Sequence, residues 1–323
     1  MSAKRYLVGV ALGGLGGALA LAQTDVFDAD YVTPRTEHGQ PDLQGVWSNA
    51  TLTPLERPAE LADKVTLTEE EATEYAAQRR AATNRDQRAD DSAADILDAY
   101  NDFWWDSGDS IVRTRRTSLV IDPADGRVPA LTAAAQARLA DQGAARRDPP
   151  EGPEDLPLGV RCLYFPHAGP PMMPGSYNNH YQIVQTEDFV LIVNEMGHET
   201  RIIPLDGRDP LPDAIRQWRG SSRGTWNGET LVVDTTHRRD DTSLRGSGEN
   251  MRLVERFTRV ADDVLLYEFT VDDAESFERQ WTVQIPSVRA QGLLYEFACH
   301  EGNRSLPGIL AGARAAERAA DSE

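Results

Sequence analysis

The chain has 323 residues, 40 % of them hydrophobic and 26 % charged, which is enough for a sizeable core in one large domain or two small ones. The formal net charge is −19, and it is two units more negative without Lys4 and Arg5. A surface this acidic repels nucleic acid and anionic lipid, so neither is an expected partner.

The first 22 residues have the pattern of a signal peptide. Lys4 and Arg5 precede the apolar run Tyr6 to Leu21, and Ala20-Leu21-Ala22 supplies a small-x-small cleavage site. The run is shorter than the roughly 20 residues that a membrane span needs, although an uncleaved anchor is the alternative. We therefore expect a periplasmic or secreted protein without membrane insertion after cleavage, and a single domain over 23–323.

The first strand is predicted within residues 41–59. The segment Gly45-Val46-Trp47 resembles the Gly-x-Trp that opens the first strand of lipocalin-like barrels, where the Trp fills the closed end. The resemblance depends on this short motif, and it implies an antiparallel barrel.

A helical insert is predicted over residues 60–147. Thr68 and Glu71 form a capping box for a helix that runs to about Arg85. A second helix, rich in Ala, is expected from an N-cap at Thr132 to about Arg147. Between them, Thr117 to Pro123 has the composition of a short strand.

Two stretches of the insert leave alternatives open. Asp90 to Asp95 superficially matches an Asp-rich metal motif, but the Asp-rich start of a helix is the simpler interpretation. Tyr100 to Trp105 has four aromatic residues in six, which belong either to the core or to the wall of a ligand pocket. In the second case Trp104 and Trp105 contact the ligand.

Residues 148–174 form a Pro-rich loop that contains Cys162 and the candidate pocket residues Met172 and Met173. Long ordered loops of this kind often cover a binding site. Cys162 and Cys299 are the only cysteines, and export would place them in an oxidising compartment. A disulfide between them is expected; two buried thiols, or a reactive Cys299 beside His300, are the alternatives.

Residues 175–300 have the pattern of an antiparallel β core. Predicted strands include Asn179 to Thr186, one long strand from Phe189 to Leu205, and Leu293 to Cys299, and Asn227-Gly228 marks a hairpin turn. No helices alternate with the strands, which excludes a parallel α/β sheet. We predict a mainly antiparallel barrel or strongly curved sheet, lipocalin-like, with the helical insert and a C-terminal helix over 304–320.

Each predicted strand has one apolar face and one mixed face. The mixed faces carry Asp234, Glu268 and, at the end of the last strand, His300. Either these faces meet solvent, or they line a lumen in which the three side chains contact a ligand.

The central strand changes character from apolar to polar at Asn194. Within this block, His198 has the side chain best suited to carry protons near neutral pH, Glu195 would orient it, and Arg201 would hold an anion. The alternative for His198 is an exposed position at a strand end. Hydrogen bonds to a substrate are expected from the preceding residues, Tyr177, Asn178 and Asn179.

Motifs for other chemistry are absent from the sequence. There is no His-Glu-x-x-His or Cys cluster for a metal, no Gly-x-Ser-x-Gly elbow, and no Gly-rich phosphate loop after a strand. We therefore expect neither a metal nor an organic cofactor.

Several blocks resemble a family of uncharacterised exported bacterial proteins. The blocks are Pro41-Asp42-Leu43 with Gly45-x-Trp47; Arg116 to Leu119 with Asp122-Pro123; Tyr177 to Thr186; Arg201 to Gly207; Trp226 to Thr236; and Cys299 to Asn303. The resemblance covers most of 41–312, and it implies export and a barrel but no particular activity.

These observations predict an exported barrel with a pocket for a small apolar molecule and acid/base chemistry without a cofactor. The reaction would be that of a lyase, isomerase, cyclase or hydrolase. The alternatives are a carrier with the same pocket and a structural envelope protein whose barrel is filled.

Overall fold

The computed structural model describes residues 27–28, 30–84, 86, 102–145 and 148–322. The predicted signal peptide, the Asp90 to Asp95 stretch and Tyr100 lie outside the described residues. Within them, ten strands form one antiparallel sheet. The strands are β1 (Gly45–Ser48), β2 (Val120–Asp122), β3 (His180–Gln185), β4 (Phe189–Asn194), β5 (Thr200–Pro204), β6 (Ser221–Asn227), β7 (Thr230–Thr236), β8 (Arg252–Ala261), β9 (Val264–Asp272) and β10 (Trp281–Arg289).

Nine of the strands follow the order β5-β4-β3-β1-β10-β9-β8-β7-β6, and β2 pairs with β10 off this path. The helices described are α1 (Glu69–Thr83), α2 (Ala133–Ala144) and α3 (Ser305–Ala320). This arrangement confirms the predicted fold class and the C-terminal helix. None of the described helices is both long enough and apolar enough to span a bilayer.

The sheet curls until its end strands, β5 and β6, lie side by side without pairing. Side chains bridge this seam, since Arg201 Nε donates to Ser222 Oγ at 2.9 Å. Farther along, a Cβ added to Gly224 would lie 2.9 Å from Ile203 Cγ2, so the two strands are closely packed there. The result is a nearly closed barrel, compatible with a lipocalin-like fold.

Alternation along the strands decides which face is inside. Leu231, Val233, Tyr267 and Phe269 are fully buried and fill the barrel together with other large side chains. These include Trp47, Trp281, Tyr181, Phe257, Ile183 and Ile192. The mixed faces therefore point outward, because turning the apolar faces into the barrel removes more apolar surface from water than turning the mixed faces inward would.

This orientation decides between the two alternatives for the mixed faces: they meet solvent and do not line a lumen, so Asp234 and Glu268 do not contact a ligand there. Asp234 pairs with Arg252 on the outer surface. Glu268 also lies outside, half-buried beside Arg256 and Gln284, and burial raises the pKa of Glu268.

The Gly-x-Trp motif has a direct physical explanation. Trp47 is fully buried, and its indole nitrogen donates to the carbonyl of Leu43 at 2.9 Å. The guanidinium of Arg289 lies 4.5 Å above its ring. Gly45 has φ +136°, and a Cβ there would collide with Arg289, so only glycine leaves room for this stacking.

Both predicted helix starts are confirmed. Thr68 and Glu71 form the capping box of α1, and Thr132 accepts a hydrogen bond from the amide of Ala135 at the start of α2. Each helix ends a few residues before the predicted position.

Two strand predictions are wrong. The segment Phe189 to Leu205 is a hairpin of β4 and β5, because Gly197 and His198 adopt positive φ and turn the chain within a 3-10 segment. Leu293 to Cys299 is irregular, and Leu293 and Tyr295 are exposed. Its apolar alternation resembles a strand, but it has no partner strand in the described sheet.

One end of the barrel, where β3 begins and β4 ends, is covered by the Pro-rich loop; we call this end the mouth. The amide of Met172 donates to the hydroxyl of Tyr267 at 3.0 Å, and Arg238 donates to the carbonyl of Pro170 at 2.5 Å. The predicted disulfide is present, with the Cα atoms of Cys162 and Cys299 5.8 Å apart. It joins this loop to the segment that follows β10.

Candidate functional site

A histidine and a glutamate face each other at the mouth across the hairpin of β3 and β4. Tyr181 pairs with Asn194, and one step further the amide of Glu195 donates to the carbonyl of His180 at 3.0 Å. Residues directly opposite in an antiparallel ladder point to the same side. His180 Nδ1 consequently lies 3.1 Å from Glu195 Oε2.

The carboxylate of Glu195 is shielded and the imidazole is partly open. Glu195 is 5 % exposed, and its second oxygen accepts from the amide of Tyr295 at 3.4 Å. Burial alone would raise the pKa of Glu195, but the hydrogen bond and charge of His180 and the Tyr295 amide leave it below its ordinary value. The same hydrogen bond raises the pKa of His180, and this effect exceeds the opposing effect of burial.

Behind this pair lies a small cavity, about the size of one water molecule, that contains two unsatisfied polar atoms. Asn49 is 4 % exposed, and its Oδ1 has no hydrogen-bond partner among the described residues. The Nε2 atom of His167 is likewise buried without a partner in this part of the chain. Buried polar groups are usually bonded, so two such atoms in one cavity are unusual.

The two imidazoles of this cavity are shifted in opposite directions. Burial lowers the pKa of His167, with no acidic partner to offset it, whereas Glu195 raises the pKa of His180. At a given pH, His167 is therefore more often neutral, and His180 more often protonated, than a free imidazole. Two titratable groups separated in this way are suited to act as base and acid in one reaction.

The structure does not bring together the three residues predicted as catalytic. His198 is exposed at the β4–β5 turn, and its contact with Glu195 is a backbone hydrogen bond of 3.1 Å. Arg201 points into the barrel, where it forms an ion pair with Glu255. Glu195 is thus the member of the trio that lies in the mouth site, and its partner is His180.

Of the predicted binding residues, four line the cavity. They are Met172, Met173, Asn178 and Asn179. Asn179, however, has a structural role: it accepts from the amide of Gly175 at 2.7 Å and donates to the carbonyls of Asp106 and Gly175. It holds two loops together rather than presenting its amide to a ligand.

The aromatic candidates lie outside the cavity. The ring of Tyr177 is 6.1 Å from that of Trp105 and 6.4 Å from that of Phe297, and together they form an apolar rim. Trp104 is 61 % exposed and packs edge-on against Phe103, so of the two alternatives the core is excluded for this residue, and it does not line the cavity either.

The remaining predicted binding residues are remote from the mouth cavity. His300 is exposed in the segment after β10. Asp234 and Glu268 lie on the outer face of the barrel. None of the three lines the cavity.

His180 was detectable in the sequence although our interpretation passed over it. The turn at Glu187-Asp188 fixes the register of the hairpin, pairing Thr186 with Phe189. Counting outward from that pair places His180 opposite Glu195, as the structure shows. No comparable local signal marks His167 or Asn49, which reach the cavity from loops.

No protein-family model matches the chain, and no curated protein or solved structure is significantly similar to it. Within the described residues, no group of three or more His, Cys, Asp or Glu side chains is arranged to hold a metal ion. The case for a function therefore depends on the geometry of the mouth.

Proposed function

We propose that the protein is an exported enzyme that adds water to, or hydrolyses, a small and largely apolar molecule at the mouth of the barrel. The observation that carries the proposal is the pair of imidazoles with oppositely shifted pKa values around a cavity with two unsatisfied polar atoms. The disulfide is compatible with the oxidising compartment that export implies.

The chemistry follows from the atoms that face the cavity. A water molecule there would donate one proton to Asn49 Oδ1 and the other to Nε2 of neutral His167. His167 takes that proton as general base while the water oxygen attacks the substrate. Protonated His180 gives its proton to the leaving group or to the developing carbanion, and Glu195 orients and charges it.

The walls favour an apolar substrate. Met172 and Met173 line the cavity, and the rim of Trp105, Tyr177 and Phe297 lies next to it. Methionine and aromatic side chains present adaptable apolar surface with little cost of desolvation.

The test uses water labelled with oxygen-18 and needs no knowledge of the substrate. Wild-type protein and two variants, His180→Gln and His198→Gln, are incubated in labelled water with a mixture of small esters, lactones, amides and unsaturated acids. Mass spectrometry then detects products that have gained the heavy oxygen. We expect wild type and His198→Gln to form such a product and His180→Gln to lose it.

Two outcomes count against the proposal. If His198→Gln abolishes the product while His180→Gln retains it, the exposed histidine is the proton carrier. If wild type yields no labelled product, the better interpretation is a filled, non-catalytic barrel. The fully buried interior agrees with that alternative.

A further inference from the structure

The open seam between β5 and β6 continues on the outside of the barrel as a groove of about 640 Å³. Seventeen residues line it and six of them are arginine, whereas Lys and Arg together account for 33 of the 323 residues in the chain. The six are Arg201, Arg208, Arg216, Arg219, Arg223 and Arg239. This enrichment runs against a net charge of −19 and so calls for a local explanation.

Five of the six arginines are paired with a carboxylate. Glu199, the one acidic residue in the lining, pairs with Arg219. The other four pair with carboxylates outside the lining, namely Arg201 with Glu255, Arg208 with Asp206, Arg216 with Glu249 and Arg239 with Asp241. Arg223 has no carboxylate partner in the described part of the chain, and its donors go to neutral groups, among them the carbonyls of Arg208, Asp209 and Ser222. A cation bonded only to neutral acceptors keeps its full charge available to an anion.

Aromatic rings accompany the cations. The guanidinium of Arg208 lies 5.7 Å from the ring centroid of Phe189, and that of Arg239 lies 4.4 Å from the ring of Trp218. All four residues line the groove. Such a surface recognises a molecule that joins a negative group to an apolar body.

The burial of Arg219 also favours the binding of an anion in the groove. Arg219 is largely enclosed, held by Glu199 and by the carbonyl of Gly169, and burial lowers its pKa to about 10. A second negative group in the groove would offset the cost of keeping this cation away from water.

We propose that the seam groove binds a small organic oxyanion, a carboxylate or phosphate on an apolar body. The anion contacts Arg223, and the body lies against Phe189 beside Arg208, which is itself paired with Asp206. A small molecule fits better than an added peptide strand. Arg223 occupies the carbonyl of Ser222 at the edge of β6, and Pro204 on β5 has no N–H to offer.

Binding is tested with 8-anilinonaphthalene-1-sulfonate, a fluorescent aromatic oxyanion, and with its uncharged analogue N-phenyl-1-naphthylamine. The variants are Arg223→Gln and Arg208→Gln, each confirmed as folded by circular dichroism. The matched control is Arg113→Gln, because Arg113 is exposed, pairs with Asp263 and does not line the groove.

We expect wild type to bind one sulfonate per chain. Arg223→Gln should bind it about tenfold more weakly, Arg208→Gln should lose less than that because Asp206 already pairs with Arg208, and Arg113→Gln should bind it as wild type does. Displacement by benzoate or by inorganic phosphate then tells which oxyanion the groove prefers. The proposal is overturned if both groove variants bind the sulfonate like the control. It is equally overturned if the uncharged analogue binds as tightly as the sulfonate.

Discussion

Two of the buried polar clusters in the described part of this barrel differ in how completely their groups are bonded. In the interior, Arg201 and Glu255 form an ion pair, and Ser222 and Thr235 accept further hydrogen bonds from the guanidinium. Tyr267 donates to Glu255 at 2.8 Å. No side-chain atom of these five residues is buried without a partner in the described structure.

The cluster at the mouth is incomplete by comparison. His180 and Glu195 are paired, but Asn49 Oδ1 and His167 Nε2 are buried without partners. An unsatisfied buried polar group costs about 1–3 kcal/mol, so the mouth cluster carries a cost that the Arg201–Glu255 cluster does not. Under the proposed function, the interior cluster serves stability and the mouth cluster binds a ligand or water.

Matched Glu→Gln substitutions in the two clusters should give the largest difference in the free energy of unfolding. Glu255→Gln leaves the charge of Arg201 buried without a counter-ion and should cost about 3–5 kcal/mol. Glu195→Gln should cost no more than about 1 kcal/mol, because His180 is partly exposed and can lose its proton. Urea unfolding at pH 7 measures both values.

A double variant provides the control for this pair. Arg201→Met with Glu255→Leu removes both charges at similar volume and should recover most of the stability lost by Glu255→Gln. If the two single variants cost the same, the two clusters are not energetically different and the distinction drawn here fails.

Much of the barrel can be predicted from the sequence, because the alternation of apolar and polar residues in a strand and the residues of a turn are local features. Asn227-Gly228 predicted the hairpin of β6 and β7. Leu293 to Cys299 has the same alternation but forms no strand. A strand needs a partner edge, and alternation carries no information about partners.

The site was harder to predict because its groups come from separate parts of the chain. Glu195 was identified, but its neighbour in sequence, His198, was preferred over its neighbour across the hairpin, His180. Glu255 was missed although it lies between Leu253 and Phe257 on the apolar face of β8, a position that already indicates a buried charge.

The next prediction concerns pH and separates the two imidazoles of the mouth. The raised pKa of His180 means that it stabilises the fold fully below about pH 6.5 and that this contribution is lost as pH rises through the folded value. The lowered pKa of His167 has the opposite sign: its contribution is full above about pH 6.5 and is lost as pH falls.

Urea unfolding from pH 5 to pH 9 should show these opposite trends. The cost of His180→Gln should be greatest at pH 5 and shrink toward pH 9, whereas His167→Gln should become relatively more stable at the acidic end. In a Glu195→Gln background the trend of His180→Gln should largely disappear, since Glu195 causes the shift. Parallel trends for the two histidine variants would contradict the assignment of acid and base.

The smallest expected effect tests the unsatisfied atom itself. Asn49 and Asn179 are each 4 % exposed, but Asn179 bonds the amide and carbonyl of Gly175 and the carbonyl of Asp106. Asn179→Ala leaves these backbone groups unpaired and should cost about 1–3 kcal/mol, whereas Asn49→Ala should cost less than about 1 kcal/mol. If urea unfolding gives equal costs, Asn49 is bonded as firmly as Asn179 through ordered water. The mouth would then be as saturated as the interior, and its polar atoms would be structural rather than held open for a substrate.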